Sequence, residues 1–196
     1  MPFLKYSKQD AISAYKKGYE VIVHLPMQSQ KVDIPQWLGP KPVKINMSGK
    51  EINKIVADSI NAIPYSSGVN IHMGALASEN KRIVSDVMKA VNGKGLYFVD
   101  SHTSPRTVCK QAAKLIGIRF IQRDVFLEGT SENMKTKAYI KQQLAKAGDI
   151  ALKYGYSVAI GHVGSVSGKI TAQAIKEMLP QLEGKGIKLV YISELI

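Results

Sequence analysis

The chain has 196 residues, of which 45% are hydrophobic, and this length and composition suit one domain rather than several. Its 27 Lys and Arg residues against 15 Asp and Glu residues give a net charge of +12, which favours anionic partners such as nucleic acid, a wall polymer or a membrane surface. The basic residues are spread along the chain without interleaved aromatic residues, and this disfavours nucleic-acid binding. No apolar run approaches the roughly 20 residues that a transmembrane helix needs, and the single cysteine, Cys109, excludes an internal disulfide.

Helices and strands are predicted to alternate along the first half of the chain. Ser7, with Asp10 three residues later, predicts a helix start, and Ser48 with Glu51 forms the Ser-x-x-Glu pattern of a capping box. The prolines between residues 26 and 43 predict a long loop without regular structure. The predicted elements are helix 8–17, strand 19–24, helix 49–62, strand 68–72, a helix capped by Ser78 and strand 96–100.

The same alternation is predicted for the second half. Ser104 followed by Pro105 combines a helix cap with a proline at the first helical position. Cys109 falls inside the helix that follows, where we expect a small buried hydrophobic residue. The remaining predicted elements are strand 118–124, a long helix opened by Ser131, strand 156–161, a helix from Thr171 and strand 187–192.

Strictly alternating strands and helices predict an α/β fold with a parallel sheet covered on its outer face by helices. In such a sheet the carboxyl ends of the strands share one face. All four histidines of the chain, and two aspartates, lie at or near a predicted strand end: His24, His72, Asp100, His102, Asp124 and His162. Taken singly, each has a structural explanation, such as an ion pair between Asp124 and Arg123. Together they predict a catalytic or metal site.

Neutral imidazoles with a carboxylate are the ligands expected for zinc or a comparable divalent ion. Such an ion lowers the pKa of bound water and polarises a carbonyl oxygen, while a histidine that titrates near neutrality can carry the proton. These properties suit the hydrolysis of an amide or ester. Residues 161–165 do not match a serine nucleophile elbow, and no phosphate loop or dinucleotide fingerprint is present.

Several runs of the sequence together resemble the divergent polysaccharide deacetylase family, in the family's order and over nearly the whole chain. They are residues 18–27, 38–40, 68–74, 98–104, 123–127 and 159–164. The resemblance implies a distorted (β/α) barrel of about seven parallel strands, here without the first strand. It also implies a divalent metal, with zinc as the expected ion, and removal of an amide-linked acetyl group from a polysaccharide or peptidoglycan-like glycan.

The resemblance also implies roles for individual residues. His24 and His72 look like metal ligands, Asp100 and His162 look like catalytic polar groups, and Asn70 looks like a support for His72. An outer set that orients ligands or substrate is expected to comprise Ser101, Thr103, Ser104 and Asp124. Three residues depart from the family pattern, and we expect them to weaken or retune the surroundings of the site: Ile71, Ala75 and Glu128.

The family's domain begins with a strand that ends in an Asp-Asp pair, of which one aspartate acts as base and the other as metal ligand. Here residues 1–4 look like the tail of the second strand, so we expect an N-terminally shortened form with an open sheet edge. A shortened form without the Asp-Asp pair is compatible with a hydrolase that is inactive in the sequence given. The family resemblance suggests an extracytoplasmic location if a leader has been lost.

Two alternatives stay open at this point. A non-catalytic protein on the same barrel would use the +12 charge to hold an anionic glycan or wall polymer. A sugar-phosphate isomerase or lyase on a similar barrel is the third hypothesis. The absence of a glycine-rich phosphate site after the last predicted strands counts against it.

Overall fold

A computed structural model describes residues 1–30, 34–129, 134–163 and 168–196. The chain divides into two compact units, Met1–Gln122 with Ile196, and Arg123–Leu195. Each unit is described by itself below. Across the described residues, every helix is too short or too polar to cross a membrane.

The first unit contains four strands and six helices among its described residues. The strands are β1 (Val21–Met27), β2 (Ser66–Met73), β3 (Tyr97–Asp100) and β4 (Phe120–Gln122). The helices are α1 (Ser7–Lys16), α2 (Pro35–Leu38), α3 (Gly49–Ala62), α4 (Ala75–Ser78), α5 (Lys81–Asn92) and α6 (Cys109–Ile116).

The four strands form one parallel sheet in the order β1-β2-β3-β4. Val23 and Leu25 of β1 and Val69 and Ile71 of β2 are buried in one apolar cluster, together with residues of α3 and α5 such as Ile52 and Ile83. Side chains alternate between the two faces of a strand. His24, Asn70 and His72 therefore lie on the face of the sheet opposite this cluster.

The second unit has its own apolar cluster. Strands β5 (Val125–Phe126) and β6 (Ala159–Ile160) form a two-stranded parallel sheet, and the helices are α7 (Lys137–Tyr154) and α8 (Gly168–Gly184). The buried residues of the cluster come from β5, α7, α8 and the adjoining loop: Val125, Leu127, Ile140, Leu144, Ala174, Met178 and Leu182.

The predicted α/β class with parallel strands is confirmed. The described residues contain sheets of four and two strands rather than about seven strands in one sheet, and closure into a barrel stays a prediction. The single-domain organisation also stays a prediction.

Several helix starts differ from the sequence prediction; for example, Asn80 rather than Ser78 caps helix α5. The Ser7 hydroxyl donates to the Met1 carbonyl, and the helix begins at Ser7 itself, after Tyr6. The Ser104 hydroxyl donates to the Glu79 carboxylate, and the next helix begins only at Cys109. By contrast, Ser48 and Glu51 form the predicted capping box. Ser131 lies outside the described residues, and the long helix begins at Lys137, with Thr136 as its cap.

Strand 187–192 is not formed. The Tyr191 backbone N–H donates to the Glu194 carboxylate at 2.7 Å, which stabilises the short 3-10 helix Ile192–Glu194 instead. The run is apolar enough for a strand, but Leu189 is 63% exposed, and the described residues provide no neighbouring strand for it.

The proline-rich segment is more regular than predicted. Pro35 occupies the first turn of the short helix α2, where its missing N–H costs no hydrogen bond. At the far end of the segment, the Val43 N–H donates to the Pro26 carbonyl at 2.9 Å. The segment is therefore tied to the end of β1.

Candidate functional site

Two half-buried histidines meet on the face of the first sheet opposite the apolar cluster. His24 on β1 lies opposite Asn70 on β2 in the parallel register, and His72 follows two residues after Asn70 on the same face. The two imidazole rings cross at 64° with their centroids 4.7 Å apart. His24 Nε2 lies 3.0 Å from His72 Nδ1, so one nitrogen of each ring points at the other ring.

The protonation of His24 follows from its neighbours. The Ser101 hydroxyl donates to the Ile71 carbonyl at 2.6 Å, so Ser101 Oγ accepts the hydrogen bond from Asn70 Nδ2 at 3.2 Å. This fixes the orientation of the Asn70 amide and directs its Oδ1 towards His24 Nδ1 at 2.9 Å. Because Oδ1 can only accept, His24 carries a proton on Nδ1.

The other histidine is fixed by the main chain. His72 Nε2 lies 2.7 Å from the Trp37 carbonyl oxygen, which can only accept a hydrogen bond. His72 therefore carries a proton on Nε2. When both rings are neutral, His24 Nε2 and His72 Nδ1 each present a lone pair to the other.

Two lone pairs at 3.0 Å repel one another unless a proton or a cation lies between them. Two nitrogens bound to one tetrahedral zinc ion at about 2.0–2.1 Å would be separated by about 3.3 Å. Histidines that bind metals usually donate their second N–H to an oxygen, as both rings do here. His24 and His72 thus fit two positions of a metal site. Across the described residues, no group of three or more His, Cys, Asp or Glu side chains is arranged to hold a metal.

The structure corrects one predicted contact. We expected Asn70 to support His72, but the Asn70 amide bonds to His24. The parallel register explains the difference, because it pairs Asn70 with His24 across the two strands and His72 with Pro26. Ser101 accepts a hydrogen bond from Asn70, and its role in orienting ligands or substrate stays a prediction.

Asp100 is fully buried at the end of β3. One of its carboxylate oxygens accepts the His102 backbone N–H at 2.8 Å, and the other accepts the Thr107 hydroxyl at 2.9 Å. These bonds fix the loop after β3, in which His102 has a positive φ of 50° and its ring bonds to Gln122. The structure thus gives Asp100 a role in holding this loop, and its catalytic role stays a prediction.

Ser104 and Thr103, the other residues of the predicted outer set in the first unit, differ from each other. Ser104 is buried, and with Arg106 it donates to the Glu79 carboxylate. The Ser104 hydroxyl and then the Arg106 guanidinium hold the pKa of Glu79 below its ordinary value. Thr103 is exposed. Ser104 therefore has a structural partner, whereas the Thr103 side chain faces solvent.

His162 and Asp124 lie in the second unit. Glu128 is 3% exposed, and its carboxylate accepts three hydrogen bonds: from the His162 backbone at 2.9 Å, from His162 Nδ1 at 3.2 Å and from the Thr171 hydroxyl at 2.6 Å. The carboxylate thus places the proton of the neutral His162 ring on Nδ1 and leaves a lone pair on Nε2. Asp124 accepts the Val158 backbone N–H at 2.8 Å, so it ties the two strands of this unit together.

Sequence reasoning missed two contributors to these sites. The contact between Trp37 and His72 uses a backbone carbonyl, which every residue has, so the sequence gives no sign of it. Thr171 was assigned only as a helix residue, although its hydroxyl is buried against Glu128. Glu128 is one of the three departures from the family pattern, and its carboxylate bonds to His162; its effect on the site stays a prediction.

Comparisons with known proteins find relatives over most of the chain. A sequence model of the divergent polysaccharide deacetylase family matches residues 1–196. The uncharacterized protein YibQ of Escherichia coli K12 is 31% identical over 182 residues, which cover 93% of this chain and 55% of YibQ. An uncharacterized protein of Haemophilus influenzae is 29% identical over 162 residues, or 83% of this chain and 55% of the relative. The chain thus spans about half the length of these relatives.

The fold has a counterpart among solved structures. The crystal structure of the uncharacterized protein ATU2773 from Agrobacterium tumefaciens C58 aligns with a TM-score of 0.87 at 22% identity, over 98% of this chain and 74% of that chain. At this level of identity the similarity concerns the fold alone.

Proposed function

The chain belongs to the divergent polysaccharide deacetylase family, and on this premise we propose that it is a metal-dependent hydrolase. The proposed reaction removes the acetyl group from an N-acetylated sugar in a polysaccharide or peptidoglycan-like glycan. We also propose that the whole catalytic domain folds as a distorted (β/α) barrel, as the family resemblance implies.

One observation carries the proposal: His24 Nε2 lies 3.0 Å from His72 Nδ1, while the other nitrogen of each ring faces an oxygen acceptor. Two hydrogen bonds to oxygen acceptors select the tautomers of the two rings. His24 Nε2 and His72 Nδ1 therefore each carry a lone pair that can bind a cation. Imidazole nitrogen suits zinc, and we propose zinc as the ion. When bound, such an ion polarises an amide carbonyl and lowers the pKa of water.

His162 is the proposed proton carrier. Its Nε2 lone pair accepts a proton, and the Glu128 carboxylate behind Nδ1 stabilises the imidazolium that results. Its ring is about half exposed, so it can exchange protons with substrate or water. In amide hydrolysis the carbon–nitrogen bond breaks and the departing amine takes up a proton, which a protonated His162 can supply.

The test is acetate release from N-acetylated chitooligosaccharide and from peptidoglycan, with zinc supplied and with zinc removed by a chelator. We expect release that requires zinc and is lost in His72→Ala. No acetate from either glycan in zinc-loaded protein, with unchanged glycan binding in metal-free protein, would overturn the hydrolase proposal in favour of the glycan-binding alternative. The net charge of +12 is the observation that favours that alternative.

A further inference from the structure

Trp37 is the single tryptophan of the chain, and its side chain is 65% exposed. It lies on the short helix α2, next to Leu38, which is only 4% exposed. The helix therefore points one apolar side chain inwards and leaves the largest one in solvent. Tryptophan is on average a highly buried residue, so an indole this exposed is a candidate contact for a ligand.

The backbone of Trp37 is held firmly although its ring is exposed. Its N–H and that of Leu38 both donate to the Ile34 carbonyl at 3.0 Å. Its own carbonyl accepts from His72 Nε2 at 2.7 Å. The Trp37 backbone is thus hydrogen-bonded directly to one of the two proposed metal-binding histidines, while its indole remains exposed.

We propose that the Trp37 indole is a stacking surface for a pyranose ring of the glycan substrate. This inference rests on the proposed function, and it extends it by naming a residue that binds the sugar beside the reacting group. In β-linked N-acetylated sugars the ring hydrogens of one face are axial and form an apolar surface that packs on an aromatic ring. A rigidly attached aromatic residue loses little conformational freedom when it binds, so its contact area contributes efficiently to affinity.

Intrinsic fluorescence provides a direct test, because Trp37 is the only tryptophan. N-acetylated chitooligosaccharide is titrated into the metal-free protein, and the emission of Trp37 is recorded. We expect a saturable change in emission. Calorimetric titration of Trp37→Ala should show binding weakened by about tenfold, the effect of losing one aromatic contact, with Trp37→Phe between this variant and wild type.

Tyr19→Ala is the matched control, because Tyr19 is also an exposed aromatic residue of the first unit, at 59% exposure. We expect it to bind the oligosaccharide as wild type does. Circular dichroism checks that Trp37→Ala keeps its fold. If the emission does not respond and Trp37→Ala binds the oligosaccharide like wild type, the inference is wrong. If the Trp37 emission changes when a protein partner binds but does not change with any oligosaccharide, the inference is also wrong.

The two proposals can fail separately. Zinc-dependent acetate release with equal oligosaccharide affinity in wild type and Trp37→Ala would leave the hydrolase standing and remove the role of Trp37. A saturable Trp37 response without acetate release would support the sugar contact and count against the hydrolase.

Discussion

The Asn70 side chain selects the tautomer of His24 from the neighbouring strand: its amide oxygen lies 2.9 Å from His24 Nδ1, and its amide nitrogen is held by Ser101. The residue that prepares one proposed metal ligand therefore lies on the same strand as the other, His72. This arrangement follows from the parallel register of the two strands, which places Asn70 directly beside His24.

Replacing Asn70 by alanine should weaken zinc binding by about 10- to 100-fold, because His24 Nδ1 loses the acceptor that fixes its tautomer. A competition titration with a chromogenic chelator measures this change. Asn92→Ala, at the exposed end of α5, is the matched control and should bind zinc as wild type does. Equal affinity in Asn70→Ala and wild type would show that the tautomer argument is incorrect.

Replacing Glu128 by glutamine should lower kcat by about 100-fold or more with little change in KM. The glutamine amide group can donate to His162 Nδ1, so the ring proton moves to Nε2 and the lone pair needed for proton transfer is lost. Steady-state kinetics of acetate release measure the effect. Glu183→Gln, on the exposed surface of α8, is the control. An unchanged kcat in Glu128→Gln would remove His162 from the proposed chemistry.

Much of this arrangement follows from the sequence, and the rest depends on contacts that a sequence does not show. Short apolar runs that end near His24 and His72 predict parallel strands whose carboxyl ends share one face. The Ser48 capping box is a local signal between residues three apart. Ser104 Oγ accepts the Arg106 N–H at 3.1 Å as a cap would, but the helix that follows begins only at Cys109. The Trp37 carbonyl could not be predicted at all, since every residue has one.

Gly74 follows His72 and Met73 where the chain leaves β2, and we expect Gly74→Ala to destabilise the protein by roughly 1–3 kcal/mol. Its φ is +73°, and an added Cβ would lie 2.3 Å from Ile71 Cγ2. Urea denaturation measures the free energy of unfolding. Gly184→Ala, where an added Cβ meets nothing within 4 Å, is the control and should change stability by less than about 0.5 kcal/mol. Similar values for the two variants would contradict the steric argument.

Alkaline pH should destabilise the fold through Cys109. Burial, chiefly, raises the pKa of its thiol from 9.0 to about 12. The unfolded chain therefore loses this proton at lower pH than the folded chain, and the free energy of unfolding should fall as the pH rises from 9.0 towards 12.

Urea denaturation at several pH values across this range, for wild type and Cys109→Ala, checks the prediction. The fall in stability should be shallower in Cys109→Ala. Some slope should remain, because burial and the nearby Glu20 carboxylate raise the pKa of Tyr97 as well. The same slope in both proteins would contradict the assignment to Cys109.

The central claim is that His24 and His72 together bind a divalent metal, and elemental analysis of protein equilibrated with zinc tests it most directly. His102→Ala is the matched control, because that histidine lies in the loop after β3 and its ring bonds to Gln122. We predict about one zinc ion per chain in wild type and in His102→Ala, and less than about one-tenth of that in His24→Ala and in His72→Ala. Zinc retained in full by both of the last two variants would contradict the account.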